Sequence, residues 1–183
     1  MPVDLLKPTG SANFQVAAEF LREIFTEKMI PSAKQKLLPV LKGNASGQVM
    51  TGNLSVLTKL IGTRWEPRWG KVILCLEDIS EYLYAIDRHF VHLAQSRLAP
   101  AIAGIVLGDF SDLEDNEIPW GESVEEIAAR HFPGIPIAKG LPVGHGSRNI
   151  PMCQGIKGDL AISETSAALH MAAEHWPERR AST

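Results

Sequence analysis

Lys71-Val-Ile-Leu-Cys-Leu-Glu77 is the stretch that sets the fold class. Its centre is a continuous apolar run with β-branched members. A run of this length suits a strand buried on both faces. It stops at two acids, Glu77 and Asp78. Beyond them Ile79, Leu83, Ile86, Phe90 and Leu93 recur at steps of four and three, which predicts a long helix with one narrow apolar seam. Residues 102–107 read as a second buried strand, closed by Gly108. Upstream, Thr51-Gly52-Asn53 reads as a turn into a helix that carries Leu54, Leu57, Leu60 and Ile61 on one side and ends at Gly62.

Further out the pattern changes. Residues 109–121 are acidic and polar and read as a surface loop. Ser123 with Glu126 three positions on is a capping-box pattern opening a short helix to about His131. Short pieces follow: 135–138, a loop over 140–149, and 150–153. Residues 159–163 and 167–171 are expected to pair as a hairpin around Glu164-Thr165-Ser166. Strand and helix alternate early and short strands dominate late, so the expectation is a compact α/β domain over 43–171. Phe14, Ala17, Phe20, Leu21, Ile24 and Phe25 predict a helix near the start. Pro31, Pro39, Gly43 and Asn44 make 26–44 the expected linker or domain edge, so 1–42 reads as the remnant of another domain. Residues 172–183 are polar and expected to be disordered.

Composition narrows the function. Hydrophobic residues make up 45% of the 183, enough for a sizeable core, and the net charge is −3. The mean hydropathy is near zero and the pI about 6.1. A nucleic-acid binder would usually carry a basic stripe, so no nucleic-acid partner is expected. No apolar run is long enough to span a membrane, and the opening Met-Pro-Val-Asp-Leu-Leu-Lys-Pro lacks the pattern of a signal peptide. Cys75 and Cys153 read as two free thiols in a reducing cytoplasm.

Two side chains stand out for chemistry. Glu77 ends a buried strand, where α/β folds present functional groups. From spacing alone it reads more readily as an acid at the N-terminus of the next helix, favouring its dipole. His145 sits in Gly140-Leu-Pro-Val-Gly-His-Gly-Ser-Arg-Asn149. Glycines on both sides leave the imidazole open and allow backbone to approach closely, and a histidine there can move protons near neutral pH. An ordinary loop histidine is the blander reading of the same local sequence. His89 and His92 are three apart but lack a completing ligand, so no metal site and no cofactor is expected. His131 is placed to serve the C-terminus of the short helix. Glycine-rich phosphate loops and a Gly-x-Ser-x-Gly elbow are absent from the sequence.

Three stretches in series resemble the LD-carboxypeptidase family: Thr51-Gly-Asn-Leu-Ser-Val-Leu-Thr-Lys-Leu-Ile-Gly-Thr63, Val72-Ile-Leu-Cys-Leu-Glu-Asp-Ile-Ser-Glu81 with Ile86-Asp87-Arg88 after it, and Gly140-Leu-Pro-Val-Gly-His-Gly146 with 151–155 following. The resemblance covers about 43–171. It implies a serine peptidase of two domains, whose C-terminal domain is a swivelling β/β/α fold, acting in the cytoplasm to remove the terminal D-alanine from murein tetrapeptides. A branch of the family hydrolyses microcin-type peptide–nucleotide antibiotics instead. Carried onto this sequence, the resemblance makes Glu77 and His145 the catalytic pair and sets Gly52 and Asn53 beside the substrate. Arg148 is a candidate partner for a substrate carboxylate, from its charge alone. Thr51 departs from the family's first glycine. The nucleophile segment is not found, since neither Ser11 nor Ser32 lies in a Ser-Asp turn after a strand. The expectation is therefore a C-terminal half, inactive alone, needing a nucleophile domain in cis or trans and forming a homodimer. The rival expectation is a non-catalytic oligomerisation or ligand-binding module.

Overall fold

The computed structural model describes residues 15, 17–22, 29–30, 33–172 and 174–175. A short helix, α1, covers 17–22. Strands β1 (Met29–Ile30) and β9 (Glu174–His175) form a separate antiparallel pair. The other strands are β2 (Ala33–Leu41), β3 (Gly43–Asn53), β4 (Val72–Ile79), β5 (Ile102–Ser111), β6 (Ile137–Lys139), β7 (Lys157–Ile162) and β8 (Ala167–Met171). They close into a seven-stranded barrel in the order β2-β6-β5-β4-β3-β7-β8. β3, β4, β5 and β6 run parallel, and β7, β8 and β2 complete the barrel antiparallel. Helices α2 (Leu54–Leu60), α3 (Leu83–Ala94) and α4 (Val124–His131) pack outside the parallel half. The architecture is mixed α/β.

Two cores follow from the alternation of side chains along a strand. On β4, Val72, Leu74 and Leu76 face the helices and meet Ile86, Phe90, Leu93 and Ile127. Ile73 and Cys75 face the barrel interior with Val49, Val106 and Leu169. With both faces covered, β4 is buried along nearly its whole length, as its unbroken apolar run requires. The β7–β8 hairpin has only one covered face, and its burial alternates residue by residue. Ser163 Oγ, within hydrogen-bond distance of Thr165 N and Ser166 N, holds its turn.

Several boundaries differ from the expectation. The segment 26–44, read as a linker, contains β2, which bonds β6 on one side and β8 on the other. Pro39, read as a breaker, lies where the β2–β6 register shifts, a place a strand tolerates proline. Thr51-Gly52-Asn53 is the last part of β3 rather than a turn, paired through Asn53↔Glu77. β4 continues to Ile79, so α3 starts at Leu83 and Ile79 lies outside its seam. β5 runs to Ser111, into the expected loop. Within 172–183 the pair Glu174–His175 is strand, and 173 and 176–183 lie outside the described residues. Of the expected N-terminal helix, 17–22 is helical and much of the rest falls outside them.

Candidate active site

The C-terminal ends of the four parallel strands gather at one rim of the barrel. This is where open and closed α/β sheets present functional groups. Glu77 lies near the end of β4 on the interior-facing side set by Ile73 and Cys75, and is 7% exposed. Helix α3 begins at Leu83 with no acid in its first turn. Glu77 is therefore not a helix-end acid. Its neighbour Asp78 points the opposite way, to the helix side, and is 1% exposed.

His145 comes to Glu77 from the loop after β6. Its Nδ1 is 2.8 Å from Glu77 Oε2, and the imidazole is 39% exposed. The bond to Nδ1 leaves Nε2 as the ring nitrogen not engaged by Glu77. Glycine makes this approach possible. A Cβ at Gly144, which has φ +137°, would lie 2.8 Å from Asp109 Cβ and 3.1 Å from Glu77 Oε2. A Cβ at Gly146 would lie 2.5 Å from Asp109 Oδ2. The turn is tied down from behind by Asp109 N–H to Val143 O (2.8 Å), Ile150 N–H to Pro142 O (2.9 Å) and Asn149 Nδ2 to Gly144 O (2.7 Å).

The β3 end builds the opposite wall. Asn53 Oδ1 accepts from Val56 N (3.0 Å) and Ser55 Oγ (2.8 Å), capping α2. Asn53 Nδ2 donates to Asp78 Oδ1 (2.8 Å), and Asp78 Oδ2 accepts from Ser55 N (2.9 Å). The Asp78 carboxylate thus serves the N-terminus of α2, not of α3. Gln154 grips the backbone of Thr51 from outside, accepting from its N–H at 2.7 Å and donating to its carbonyl at 3.0 Å. Between the walls lies an open cavity of about 240 Å³ that Gly52, Asn53, Glu77, His145, Asn149 and Met152 help to line.

Of the residues singled out in the sequence, Glu77, His145, Gly52 and Asn53 meet at this cavity. Asn53 contributes mainly structure, since its amide is committed to the cap. Arg148 is exposed and does not line it. Asp78 was noted only as the second acid at the strand end, and Asp109, Asn149 and Gln154 were not singled out. Their signal is one of tertiary contact, apart from Asp78, whose adjacency to Glu77 on a pleated strand sends it to the other face. His89 lies away from the rim, with Nδ1 2.9 Å from Thr58 Oγ1, and burial lowers its pKa from the usual imidazole value. No cluster of three or more metal-ligating side chains occurs among the described residues. None of the described helices is long and apolar enough to cross a membrane.

The model of the LD-carboxypeptidase C-terminal domain matches residues 46–160. The chain belongs to the LD-carboxypeptidase family. A Synechocystis sp. protein assigned by name to the carboxypeptidases is 39% identical over 121 residues, 65% of this chain and 40% of that protein. The murein tetrapeptide carboxypeptidase of Pseudomonas aeruginosa is 33% identical over 113 residues, 59% of this chain and 36% of its own length. Among solved structures, a muramoyltetrapeptide carboxypeptidase from Oxalobacter formigenes superposes with TM-score 0.72 at 25% identity, covering 85% of this chain and 54% of its own. MccF in complex with glutamyl sulfamoyl guanosine shares the fold, with TM-score 0.73 at 18% identity over 91% of this chain and 58% of its own. The chain thus spans about half the length, or less, of the curated relatives it matches. Both members of the Glu77–His145 pair fall within the matched segment or its rim loops, at the same end of the barrel as Asn53.

Proposed function

We propose that this chain supplies the glutamate and histidine of a Ser-His-Glu site that removes the terminal D-alanine from murein tetrapeptides. The observation that carries the reading is the 2.8 Å bond from His145 Nδ1 to the buried Glu77 carboxylate at the rim of an open cavity. That arrangement fixes the imidazole tautomer and leaves Nε2 to work. On this reading the barrel with its flanking helices acts as the swivelling β/β/α domain. The nucleophilic serine comes from a separate domain, in cis or in trans.

The chemistry divides among the groups accordingly. Nε2 takes the serine hydroxyl proton as Oγ bonds to the peptide carbonyl carbon. Glu77 stabilises the imidazolium that forms. The same proton passes from Nε2 to the nitrogen of D-alanine as the C–N bond breaks. Water then repeats the sequence on the acyl ester, releasing the shortened peptide and restoring serine and neutral His145. Gly52 lies where the substrate backbone can pass closely. The site works in the cytoplasm, on a homodimer, with no cofactor.

The test is D-alanine release from a murein tetrapeptide by this chain alone and by this chain with the nucleophile half of a family member added. The chain alone should stay at background. The mixture should release D-alanine, and His145→Ala should lower the rate by about 10³-fold or more. Release by the chain alone that survives Ser11→Ala and Ser32→Ala would sink the assignment. A peptide–nucleotide of the microcin type is the competing substrate, and the same mixture offered both would rank them. Sedimentation of a folded monomer would remove the homodimer.

A further inference from the structure

Thr51 forms the floor of the cavity beside the Glu77–His145 pair. Successive side chains on a strand face opposite ways, and β3 and β4 run in register, so the inner face of the barrel rises here in layers. Val49 lies level with Ile73, Thr51 with Cys75, and Asn53 with Glu77. Val49, Ile73 and Cys75 belong to the apolar interior. Asn53 and Glu77 line the cavity. Thr51 is the layer between them: it lines the cavity at the level of the buried Cys75, with the core beneath it. It is also held still. Its N–H donates to Gln154 Oε1 at 2.7 Å, and its carbonyl accepts from Gln154 Nε2 at 3.0 Å. Its hydroxyl is hydrogen-bonded with the Cys75 thiol. A floor fixed at both backbone and side chain does not swing aside to admit a longer group.

We propose that Thr51 is a specificity-determining residue: its side chain sets the depth of a recess that takes the methyl group of the terminal D-alanine and excludes longer side chains. The walls fit that occupant. Val143, Ile150, Pro151 and Met152 line the recess with apolar surface. Among the described residues no lysine or arginine lines it, and the buried Glu77 carboxylate does, so the recess suits an uncharged group and not the terminal carboxylate. The core closes it from below, so a peptide chain cannot pass through, and the residue that ends the chain suits it. The methyl then lies beside the pair, where Nε2 meets the nitrogen of the leaving residue. The choice of D-alanine rests on the proposed reaction, whereas the depth set by Thr51 rests on the cavity alone.

The test combines the chain with the nucleophile half of a family member and offers paired peptides ending in D-alanine or D-methionine. Wild type should release D-alanine faster by about 10-fold or more. Thr51→Ala lowers the floor and should raise the ratio of D-methionine to D-alanine release by about 10-fold. Thr51→Val keeps the size without the hydroxyl and should hold the wild-type ratio. Equal release of both residues by wild type overturns the proposal. So does a ratio unchanged in Thr51→Ala, or one that Thr51→Val shifts as far as Thr51→Ala. A binding measurement separates this outcome from failure of the reaction. The chain alone is titrated with N-acetyl-D-alanine and N-acetyl-D-methionine, following the side-chain methyl resonances of Ile150 and Met152. The alanine derivative should move them in wild type, and the methionine derivative only in Thr51→Ala. If the mixture hydrolyses neither peptide, the proposed reaction fails and the titration still decides: methyls that answer to neither compound, or equally to both in wild type, overturn the role of Thr51.

Discussion

Substituting Gly144 by alanine tests whether the turn's closeness to Glu77 dictates its glycine. The new Cβ would sit 2.8 Å from Asp109 Cβ, well inside van der Waals contact, and 3.1 Å from Glu77 Oε2. At φ +137° alanine also adopts a backbone conformation that L-residues avoid. The backbone strain costs about 1–3 kcal/mol. The overlap adds about 1–3 kcal/mol if nothing moves. Against this, the turn is held by the Glu77–His145 bond and three hydrogen bonds from Asp109, Asn149 and Ile150. Such bonds contribute about 1 kcal/mol net each, so lifting the turn costs about as much as keeping it. The expected result is a loss of about 2–4 kcal/mol in urea unfolding, capped by release of the turn. The His145 Nδ1–H resonance bonded to Glu77 should disappear with it. Gly140→Ala is the control: φ is +88°, but nothing lies within 4 Å of the new Cβ. It should cost about 1 kcal/mol of backbone strain and leave the pair intact. If Gly144→Ala keeps the Nδ1–H resonance and loses under about 0.5 kcal/mol, the close approach is not what requires glycine.

Three further outcomes are expected. Burial pushes the Cys75 thiol up to about 12, and a weaker Thr51 hydrogen bond only partly offsets it. Cys153 is less buried and is raised from the usual thiol value by burial alone. A thiol reagent at pH 8 should therefore modify Cys153 in the native protein and Cys75 only on unfolding, and equal native rates would refute this. Burial disfavours the charged form of His89, so the unfolded chain binds its proton more readily than the folded one. Its contribution to stability is full above the unfolded imidazole value of about 6.5 and declines as pH falls below it. His89→Gln should flatten that part of the stability profile, and an unaltered slope in urea melts from pH 7 to 5 would count against the assignment. Ser123 Oγ lies 3.3 Å from Glu126 N, while Glu126 Oε2 accepts from Ser123 N at 2.8 Å. Ser123→Ala should cost about 1 kcal/mol in the same melts, and no loss would mean the capping box contributes nothing.

The sequence by itself determined the two central parallel strands, β4 and β5, and brought Glu77 and His145 forward as candidates. An apolar run such as 72–76 can be accommodated only where both faces are covered, so β4 and β5 were legible as buried strands. Periodicity placed the α3 seam through Ile86, Phe90 and Leu93, and Ser123 with Glu126 marked the start of α4. The strand end and the flanking glycines drew notice to Glu77 and His145, but each had a blander local reading, and the family resemblance is what made them a pair. Closure of the barrel came only with the tertiary structure. β2 carries Lys34, Lys36 and Pro39 and pairs with strands about 100 or more residues away, so no local pattern announces it. The turn at Thr51-Gly52-Asn53 failed for a related reason: a glycine-rich strand end next to a cap reads locally as a turn, and its pairing with β4 makes it strand. The distance between Glu77 and His145, the turning of Asp78 to the opposite face, and the closeness of Asp109 to Gly146 are set by register and packing. Residues far apart in sequence come within hydrogen-bond reach there because the strands between them fix the rim on which all of them stand.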